Sequence, residues 1–239
     1  MGNILLMNCY LRVALDRPRF FKAEGERSPS AAFDSALRAY WAEVETLMHA
    51  LMRLSALALG LQEDFFEDAY REHHSVLRLA HYPRRECGAD AAGSGAEAQL
   101  RYGEHSDYTG YTLLWQDGST RPGMEARIGG EWVDVPPAQG RLSIVVNAGD
   151  LIEVWTNGRW VSPLHRVANA MQGEMQKQEQ HSRHHQQQQE QQGRLSIVFF
   201  TGPSDDTTVS CLPGCGEPKH APVNALQYLL AKLSASNEV

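Results

Sequence analysis

The segment HSDYTGYTLLW, residues 105–115, opens with a possible metal-binding pattern and continues as a strand pattern. His105 and Asp107 are two residues apart, so on a strand both side chains would project to the same face of a sheet. A second histidine, His165, would then come from a distant part of the chain. Two imidazoles and one carboxylate are typical ligands of a non-haem iron(II) site with open coordination positions. The alternative is that these residues are ordinary hydrogen-bonding groups of a β-sandwich.

Arg194 and Ser196 show the same two-residue spacing, so a guanidinium and a hydroxyl would point together into one cavity. A planar set of donors beside a hydroxyl is suited to binding a carboxylate. The string GRLSIV occurs twice, however, at residues 140–145 and 193–198. The sequence therefore offers two candidate Arg-x-Ser pairs.

Several short motifs occur in the order found in one known family. They are Tyr82-Pro83, His105-Ser106-Asp107, Val146-Asn147-Ala148-Gly149-Asp150, His165-Arg166-Val167 and Arg194-Leu195-Ser196. With these motifs the chain resembles the isopenicillin N synthase-like branch of the iron(II)/2-oxoglutarate-dependent dioxygenases. The resemblance extends from about Ala31 to the C-terminal helix, so it covers most of the chain.

The resemblance implies that His105, Asp107 and His165 bind iron(II). The implied reaction consumes O2 and the co-substrate 2-oxoglutarate, releases succinate and CO2, and oxidises a small-molecule substrate, with hydroxylation as the default outcome. A carboxylate at position 107 disfavours a halogenase, because that chemistry needs the carboxylate absent so that halide can bind.

The resemblance also implies which residues bind 2-oxoglutarate. Arg194 and Ser196 would bind its distal carboxylate, and Tyr82 would donate its hydroxyl, although a core tyrosine at the end of a strand is the alternative. In the family this pair follows the distal histidine. We therefore interpret the earlier pair, Arg141 and Ser143, as the start of an ordinary strand.

Two other functions stay open at this level. The first is a cyclising oxidase that does not use 2-oxoglutarate, like the namesake of the family, in which the Arg-x-Ser pair holds a substrate carboxylate. The second is an inactive, truncated remnant that binds metal without turnover. Oxygen-dependent succinate formation from 2-oxoglutarate separates these functions from a dioxygenase.

Composition argues against several classes of partner. The 239-residue chain has a net charge of −7 and no basic cluster beyond short pairs such as Arg84-Arg85, so we expect neither nucleic acid nor an anionic membrane as partner. Its apolar stretches are shorter than a membrane span, and the first residues do not resemble a secretory signal. Four cysteines without a disulfide pattern suit a reducing compartment. We expect a cytoplasmic monomer.

Hydrophobic periodicity predicts a mainly β fold flanked by helices. Apolar residues at helical spacing predict a long amphipathic helix over Ala31–Leu61 and a short one over residues 62–71. A closing helix is predicted over Pro222–Ser234, with its inner face formed by Leu226, Leu229, Leu230 and Leu233. Many short β segments between them predict a double-stranded β-helix, or jelly roll, with both helices packed on it.

The predicted β segments are separated by turn-forming residues. They are Val76–Tyr82, Tyr111–Trp115, the Met124–Val135 hairpin turning at Gly129-Gly130, Leu142–Asn147, Leu151–Trp155, Ser162–Val167, Leu195–Phe200 and Thr207–Cys211.

The predicted organisation divides the chain into three parts. Residues 1–30 are polar and broken, so we expect an irregular remnant of the N-terminal region in a truncated family member. Residues 31–74 form a helical segment, and residues 75–235 form the jelly-roll dioxygenase domain. Residues 170–193 are dominated by Gln, His and Glu, which predicts a disordered surface loop inserted in that domain.

Overall fold

Two antiparallel sheets provide the framework of the protein in its computed structural model. The structure describes residues 9–14, 17–21, 30–82, 100–117, 123–137, 143–168 and 194–237. For residues 9–21, Arg194 and Asn237 the description covers the backbone. The predicted loop at residues 170–193 lies outside these ranges.

Within the described ranges, the larger sheet contains six strands. Their spatial order is β2 (Arg17–Phe21), β1 (Cys9–Ala14), β3 (Val76–Tyr82), β10 (Arg194–Phe200), β5 (Tyr111–Gln116) and β8 (Val145–Ala148), all paired antiparallel. The central strands β3 and β10 pair over their full length, from Arg194 opposite Tyr82 to Phe200 opposite Val76.

The smaller sheet has four strands in the part of the chain that the structure describes. Their order is β4 (Leu100–His105), β9 (His165–Ala168), β6 (Met124–Ile128) and β7 (Glu131–Asp134). Strands β6 and β7 form the predicted hairpin, and Gly129 and Gly130 adopt the positive φ angles of 62° and 91° that its turn requires. A two-stranded ribbon of β11 (Thr208–Val209) and β12 (Val223–Asn224) lies apart from both sheets.

A long helix, α1 (Ala31–Ala58), covers one face of the larger sheet. The Ser30 hydroxyl accepts a hydrogen bond from the Phe33 N–H at 3.2 Å and caps its start. Its buried stripe includes Trp41, whose ring contacts Phe199 of β10 edge-on at 5.0 Å between centroids. The apolar core of the protein therefore lies between α1 and this face.

The other face of the larger sheet is directed at the smaller sheet. Ala80 and Tyr82 of β3 are buried here and form a cluster with Val167 of β9 and Tyr102 of β4. Residues two apart on a strand share a face. A mixed apolar and polar cavity wall therefore lies opposite the apolar core. This arrangement of opposed sheets and terminal helices confirms the mainly β, jelly-roll prediction.

Part of the segment expected to be irregular forms strands. Residues 9–14 and 17–21 make a hairpin, and β1 pairs with β3 from Cys9 opposite Leu79 to Arg12 opposite Val76. The edge of β3 presents unpaired backbone N–H and C=O groups, which any extended backbone can satisfy, including a polar one. Side-chain patterning alone therefore did not reveal this pairing.

The predicted strand Leu151–Trp155 was wrong, because the residues form a short helix, α2 (Asp150–Trp155). The apolar side chains of this run, including Leu151 and Ile152, are buried in the core. A short apolar run has no periodicity that separates a buried strand from a buried helix. The extended Gly149 before it and the acidic Asp150 in the first turn are the helix-start signals that could have corrected the prediction.

The other helical predictions need smaller corrections. The closing helix, α3, extends over Ala225–Asn237, but Leu230 and Leu233 are 53% and 45% exposed and are not on its inner face. Between residues 62 and 71 the regular helical structure is limited to a 3-10 turn at Asp68–Tyr70. Among the helices that the structure describes, none has the length and apolar character that a membrane span requires.

Two glycines allow the loop after β4 to contact the start of α2. A Cβ atom on Gly149 would lie 2.5 Å from the Gly110 carbonyl oxygen and 2.6 Å from that of Thr109. The backbone hydrogen bond from Gly149 N–H to the Gly110 oxygen, at 2.6 Å, holds the two segments together. The atoms that a Cβ on Gly149 would meet belong to the backbone. A change of rotamer in a neighbouring side chain therefore cannot make room for it.

We therefore predict that Gly149→Ala lowers the free energy of unfolding by about 1–3 kcal/mol, the usual effect of forcing extra volume into a packed site. Chemical denaturation monitored by tryptophan fluorescence measures it. Gly103→Ala is the matched control, because a Cβ at Gly103 would meet nothing within 4 Å. Equal destabilisation by both substitutions would contradict the packing argument.

Candidate metal centre

Three predicted ligands come together between the sheets. His105 is the last residue of β4 and lies directly opposite His165, the first residue of β9. Their ring centroids are 4.1 Å apart. The Nε2 atoms of His105 and His165 lie 4.0 Å and 3.6 Å from the Oδ1 atom of Asp107. One donor atom from each residue therefore lies within 4.8 Å of the other two.

Backbone carbonyls orient both imidazole rings. The Nδ1 atom of His105 donates to the Gly103 oxygen at 2.9 Å, and that of His165 donates to the Pro163 oxygen at 3.1 Å. A carbonyl oxygen only accepts, so each Nδ1 must carry the proton. The lone pair of each Nε2 is then free to coordinate an ion, as is usual for histidine ligands.

Asp107 lies beyond the end of β4, which corrects the expectation that the whole His-x-Asp step is on a strand. Its side chain is almost completely buried. The Oδ2 atom accepts hydrogen bonds from the Thr112 hydroxyl at 2.6 Å and from the Asn147 amide at 2.7 Å. These two donors satisfy one carboxylate oxygen and leave Oδ1 directed at the histidines.

The electrostatic environment favours a neutral His105. Burial lowers the pKa of His105, and the nearby His165 and Arg78 also lower it, while the Gly103 carbonyl and Asp107 act in the opposite direction. A histidine must be neutral to bind a metal. The environment therefore favours the metal-binding form of this side chain.

The chemistry of the donor set fits iron(II). Two imidazole nitrogens and one carboxylate oxygen are the typical protein ligands of non-haem iron(II), and they leave other coordination positions of the metal open. Thiolate-preferring metals are instead bound by cysteine sulfur. Asp107 and His165 are buried, and the outer hydrogen bonds that fix all three ligands are in place. The residues present are therefore able to hold this ion without rearranging their hydrogen bonds.

The predicted co-substrate residues lie along strands β3 and β10. Tyr82 is paired with Arg194, and Ala80 is paired with Ser196. Tyr82 and Ser196 are both buried, and the Ser196 hydroxyl has no hydrogen-bond partner within the described part of the chain. A buried hydroxyl without a partner indicates room for a ligand that supplies one.

The choice between the two Arg-x-Ser pairs stays a prediction. Arg194 is placed by its backbone alone, at the start of β10 and opposite Tyr82. Arg141 lies outside the described residues, and Ser143 precedes β8 at the far edge of the larger sheet. The strand pairing places Arg194 next to Tyr82.

Three residues near the metal centre were not assigned to it from the sequence. Asn147 was given no role at the centre in the sequence analysis, yet it holds Asp107 together with Thr112. Arg78 alternates with Ala80 and Tyr82 along β3. That two-residue spacing was the available signal for placing it on the cavity face.

Comparison with known proteins identifies the family. Residues 73–203, more than half of the chain, match the model of the 2OG-Fe(II) oxygenase superfamily. The chain belongs to this superfamily.

Proteins with similar sequences are longer than this chain. Clavatol oxidase claD of Penicillium crustosum is 30% identical over 210 residues, covering 85% of this chain and 54% of that protein. 1-Aminocyclopropane-1-carboxylate oxidase 1 of Oryza sativa subsp. japonica is 32% identical over 191 residues, covering 78% of this chain and 50% of that protein. The chain thus spans about half the length of these curated relatives.

Solved structures show the same fold. A full-length Neurospora crassa protein in complex with alpha-KG and thymine superposes with a TM-score of 0.75 and 27% identity, covering 95% of this chain and 64% of that chain. JOX2 in complex with 2OG, Fe and JA gives a TM-score of 0.69 at 24% identity, covering 93% of this chain and 58% of that chain, and shows the fold.

We predict that His105→Ala lowers the affinity for iron(II) by more than about 100-fold, because loss of a ligand should exceed the effect of losing an outer partner. Anaerobic titration of iron(II) against a competing chelator measures the affinity. His81→Ala is the control, because His81 is exposed on the opposite face of β3. A similar loss in the control would show that the ligand assignment is wrong.

Removal of the Asn147 amide, which donates to Asp107, should also lower the affinity for the metal. We predict that Asn147→Ala weakens iron(II) binding by about 10- to 100-fold, as loss of an outer hydrogen bond does at other metal sites. Asn224→Ala is the matched control, since its amide donates to the Asp205 carbonyl away from the centre. The same chelator titration applies, with thermal melts of the metal-free variants to verify folding, and unchanged affinity in Asn147→Ala would refute the role.

Proposed function

We propose that this protein is an iron(II)- and 2-oxoglutarate-dependent dioxygenase that oxidises a small-molecule substrate, most simply by hydroxylation. The overall reaction converts a substrate C–H group, 2-oxoglutarate and O2 into the C–OH product, succinate and CO2. The observation that carries the proposal is the convergence of His105, Asp107 and His165 inside the cavity of a member of this superfamily.

The protein residues have distinct tasks in this proposal. His105, His165 and Asp107 hold iron(II) through two Nε2 atoms and one carboxylate oxygen, each oriented by a hydrogen bond on its other side. When bound, iron(II) supplies the activation of O2 with 2-oxoglutarate as the source of electrons. Thr112 and Asn147 prevent Asp107 from turning its second oxygen towards the centre.

The co-substrate occupies the wall formed by β3 and β10. Ser196 offers a buried hydroxyl without a partner among the described residues, and Tyr82 is buried two positions from Ala80 on the paired strand. Arg194 follows the same alternation as Ser196, so its guanidinium is expected on this wall and pairs with the distal carboxylate. An ion pair of this kind orients the co-substrate for reaction.

The comparisons support the same co-substrate. The similar full-length Neurospora crassa structures contain alpha-KG, and the match to them covers nearly all of this chain. Thymine in one of them supports a small molecule as the primary substrate. The three predicted ligands and the wall formed by β3 and β10 occur within the region that matches the superfamily.

The same wall supports a second candidate function. A hydroxyl and a guanidinium can hold a carboxylate of the primary substrate as well as that of 2-oxoglutarate. The protein would then be an oxidase or cyclase that does not consume 2-oxoglutarate. The stoichiometry of succinate formation decides between the two.

The proposal includes a cytoplasmic, monomeric protein. Cys211 and Cys215, which the structure describes as free thiols, and a ferrous ion are both suited to a reducing compartment. Size-exclusion chromatography with light scattering tests the monomer, and a dimer mass would remove that part of the proposal.

The proposed reaction predicts two observations in sequence. Anaerobic addition of iron(II) and 2-oxoglutarate should produce a visible charge-transfer band, and admission of O2 should then produce succinate. Iron binding without the band or succinate would point to a metal-binding protein without turnover. Oxidation of substrate without succinate would point to the second candidate.

The proposed role of Arg194 in binding 2-oxoglutarate can be tested by comparison with Arg141, which belongs to the other Arg-x-Ser pair. Arg194→Ala should weaken 2-oxoglutarate binding by about 10- to 100-fold, as expected for loss of a hydrogen-bonded charge pair. Arg141→Ala is the matched control, because it removes the same group from the same local sequence, and should leave the affinity unchanged. Titration of the charge-transfer band with 2-oxoglutarate measures both, and equal effects would leave Arg194 without this role.

A further inference from the structure

Arg78 occupies the cavity wall beside the metal centre. It shares a face of β3 with Ala80 and Tyr82, which are buried against the smaller sheet. Its Cζ atom lies 5.2 Å from the centre of the Tyr102 ring on β4. The Tyr102 ring in turn contacts His105 edge-on, with centroids 4.6 Å apart. The guanidinium therefore reaches across the space between the sheets, one aromatic ring away from a metal ligand.

The guanidinium of Arg78 has no anionic partner in the parts of the chain that the structure describes. Its Nε atom is buried and makes no hydrogen bond there. The aromatic ring of Tyr102 stabilises a cation, but it satisfies none of the N–H donors. Burying a donor of a charged group without an acceptor is unfavourable, so this arrangement is expected mainly where a ligand supplies the acceptor.

Arg166 shows that the same fold can complete such a contact internally. Its Cζ atom lies 4.1 Å from the centre of the Trp132 ring, a stacking similar to that of Arg78 on Tyr102. Its Nε atom also donates to the Glu125 carboxylate at 2.6 Å. Arg166 alternates with His165 and Val167 and so lies on the outer face of the smaller sheet. Arg78, which lies between the sheets, lacks such a carboxylate partner among the described residues.

The distal carboxylate of 2-oxoglutarate is not the partner that the geometry favours. Arg78 is paired with Val198, whereas Arg194 and Ser196 are paired with Tyr82 and Ala80. Along the strand, Arg78 lies four residues, roughly 13 Å, from the position of Arg194 and two residues, roughly 7 Å, from that of Ser196. Arg194 and Arg78 therefore lie at opposite ends of this wall, so a carboxylate paired with Arg194 leaves Arg78 available to a second anion.

We propose that Arg78 binds a carboxylate of the primary substrate and so makes the enzyme selective for small organic acids. This inference rests on the function proposed above, because it assigns the second anion-binding point of the same cavity. A planar guanidinium can donate two parallel hydrogen bonds to a carboxylate, which fixes the orientation of the acid as well as its position. An amide or ester of the same shape would leave the buried donor poorly satisfied and would be rejected.

The experiment compares acids with their neutral isosteres. The protein is loaded anaerobically with iron(II) and 2-oxoglutarate and titrated with phenylacetate or phenylacetamide, and with hexanoate or hexanamide. Calorimetry and the change in the charge-transfer band report binding of each probe. The variants are Arg78→Gln, which removes the charge, and Arg78→Lys, which keeps the charge but removes the planar pair of donors.

We expect the unmodified protein to bind each acid about 10- to 100-fold more tightly than its amide, the range for hydrogen bonds to charged groups. Arg78→Gln should abolish this preference while leaving 2-oxoglutarate affinity within about threefold, and Arg78→Lys should retain part of it. The control Arg71→Gln removes the same charge from an exposed pair with Asp68 and should change neither quantity.

Three results would overturn the inference. The first is equal binding of acids and amides, or no binding of either acid, by the unmodified protein. The second is a loss of 2-oxoglutarate affinity in Arg78→Gln as large as that in Arg194→Ala, which would make Arg78 part of the co-substrate anchor. The third is a lower melting temperature in Arg78→Gln with unchanged selectivity, which would make the contact with Tyr102 purely structural.

Failure of the proposed function would be visible separately. If 2-oxoglutarate gives no charge-transfer band, the dioxygenase proposal fails, whereas the acid-to-amide ratio can still be measured with iron(II) alone. A ratio that depends on Arg78 under those conditions would keep the acid-binding role. A ratio near one would remove it.

Discussion

The buried carboxylate of Asp107 is the group on which the organisation of the site depends. It can be buried because Thr112 of β5 and Asn147 of β8 donate to one of its oxygens, at 2.6 Å and 2.7 Å. A buried carboxylate without such partners would be strongly unfavourable. The backbone carbonyl oxygen of Asp107 also accepts a hydrogen bond, at 2.8 Å, from the N–H of Asp150, where α2 begins. Residues of the larger sheet thus fix the side chain of Asp107, which follows β4 of the smaller sheet. Asp107 therefore connects the two sheets.

The alternation of side chains along β3 and β10 separates stability from chemistry. Leu77 and Phe199 point to α1 and are completely buried in the main core. Residues on the opposite face, such as Tyr82 and Ser196, form the wall of the cavity. Because successive residues point to opposite faces, polar groups can be placed in the cavity without disturbing the apolar packing a few ångströms away. The same strand therefore contributes to the core and to the site.

Prediction from the sequence was accurate where a pattern was long or chemically specific. The helix α1 has many apolar residues at one spacing, and β3 was predicted with the bounds Val76–Tyr82 that the structure shows. It was wrong at Leu151–Trp155, where a short apolar run fits a strand or a helix equally well. The pairing of β1 with β3 was also missed, because backbone groups form it and leave no signature in the side chains.

The sequence by itself determined which residues could bind a metal and a dicarboxylate, since imidazole, carboxylate and guanidinium groups have chemical preferences that do not depend on the fold. It also determined the alternation that puts Arg194 and Ser196 on one face of a strand. Only the tertiary structure decided that His105 and His165 are directly opposed, that Asn147 holds Asp107, and that Arg78 lies in the cavity without a carboxylate partner among the described residues. These facts depend on contacts between residues far apart in the chain, and such contacts are set by strand register and packing, not by local sequence.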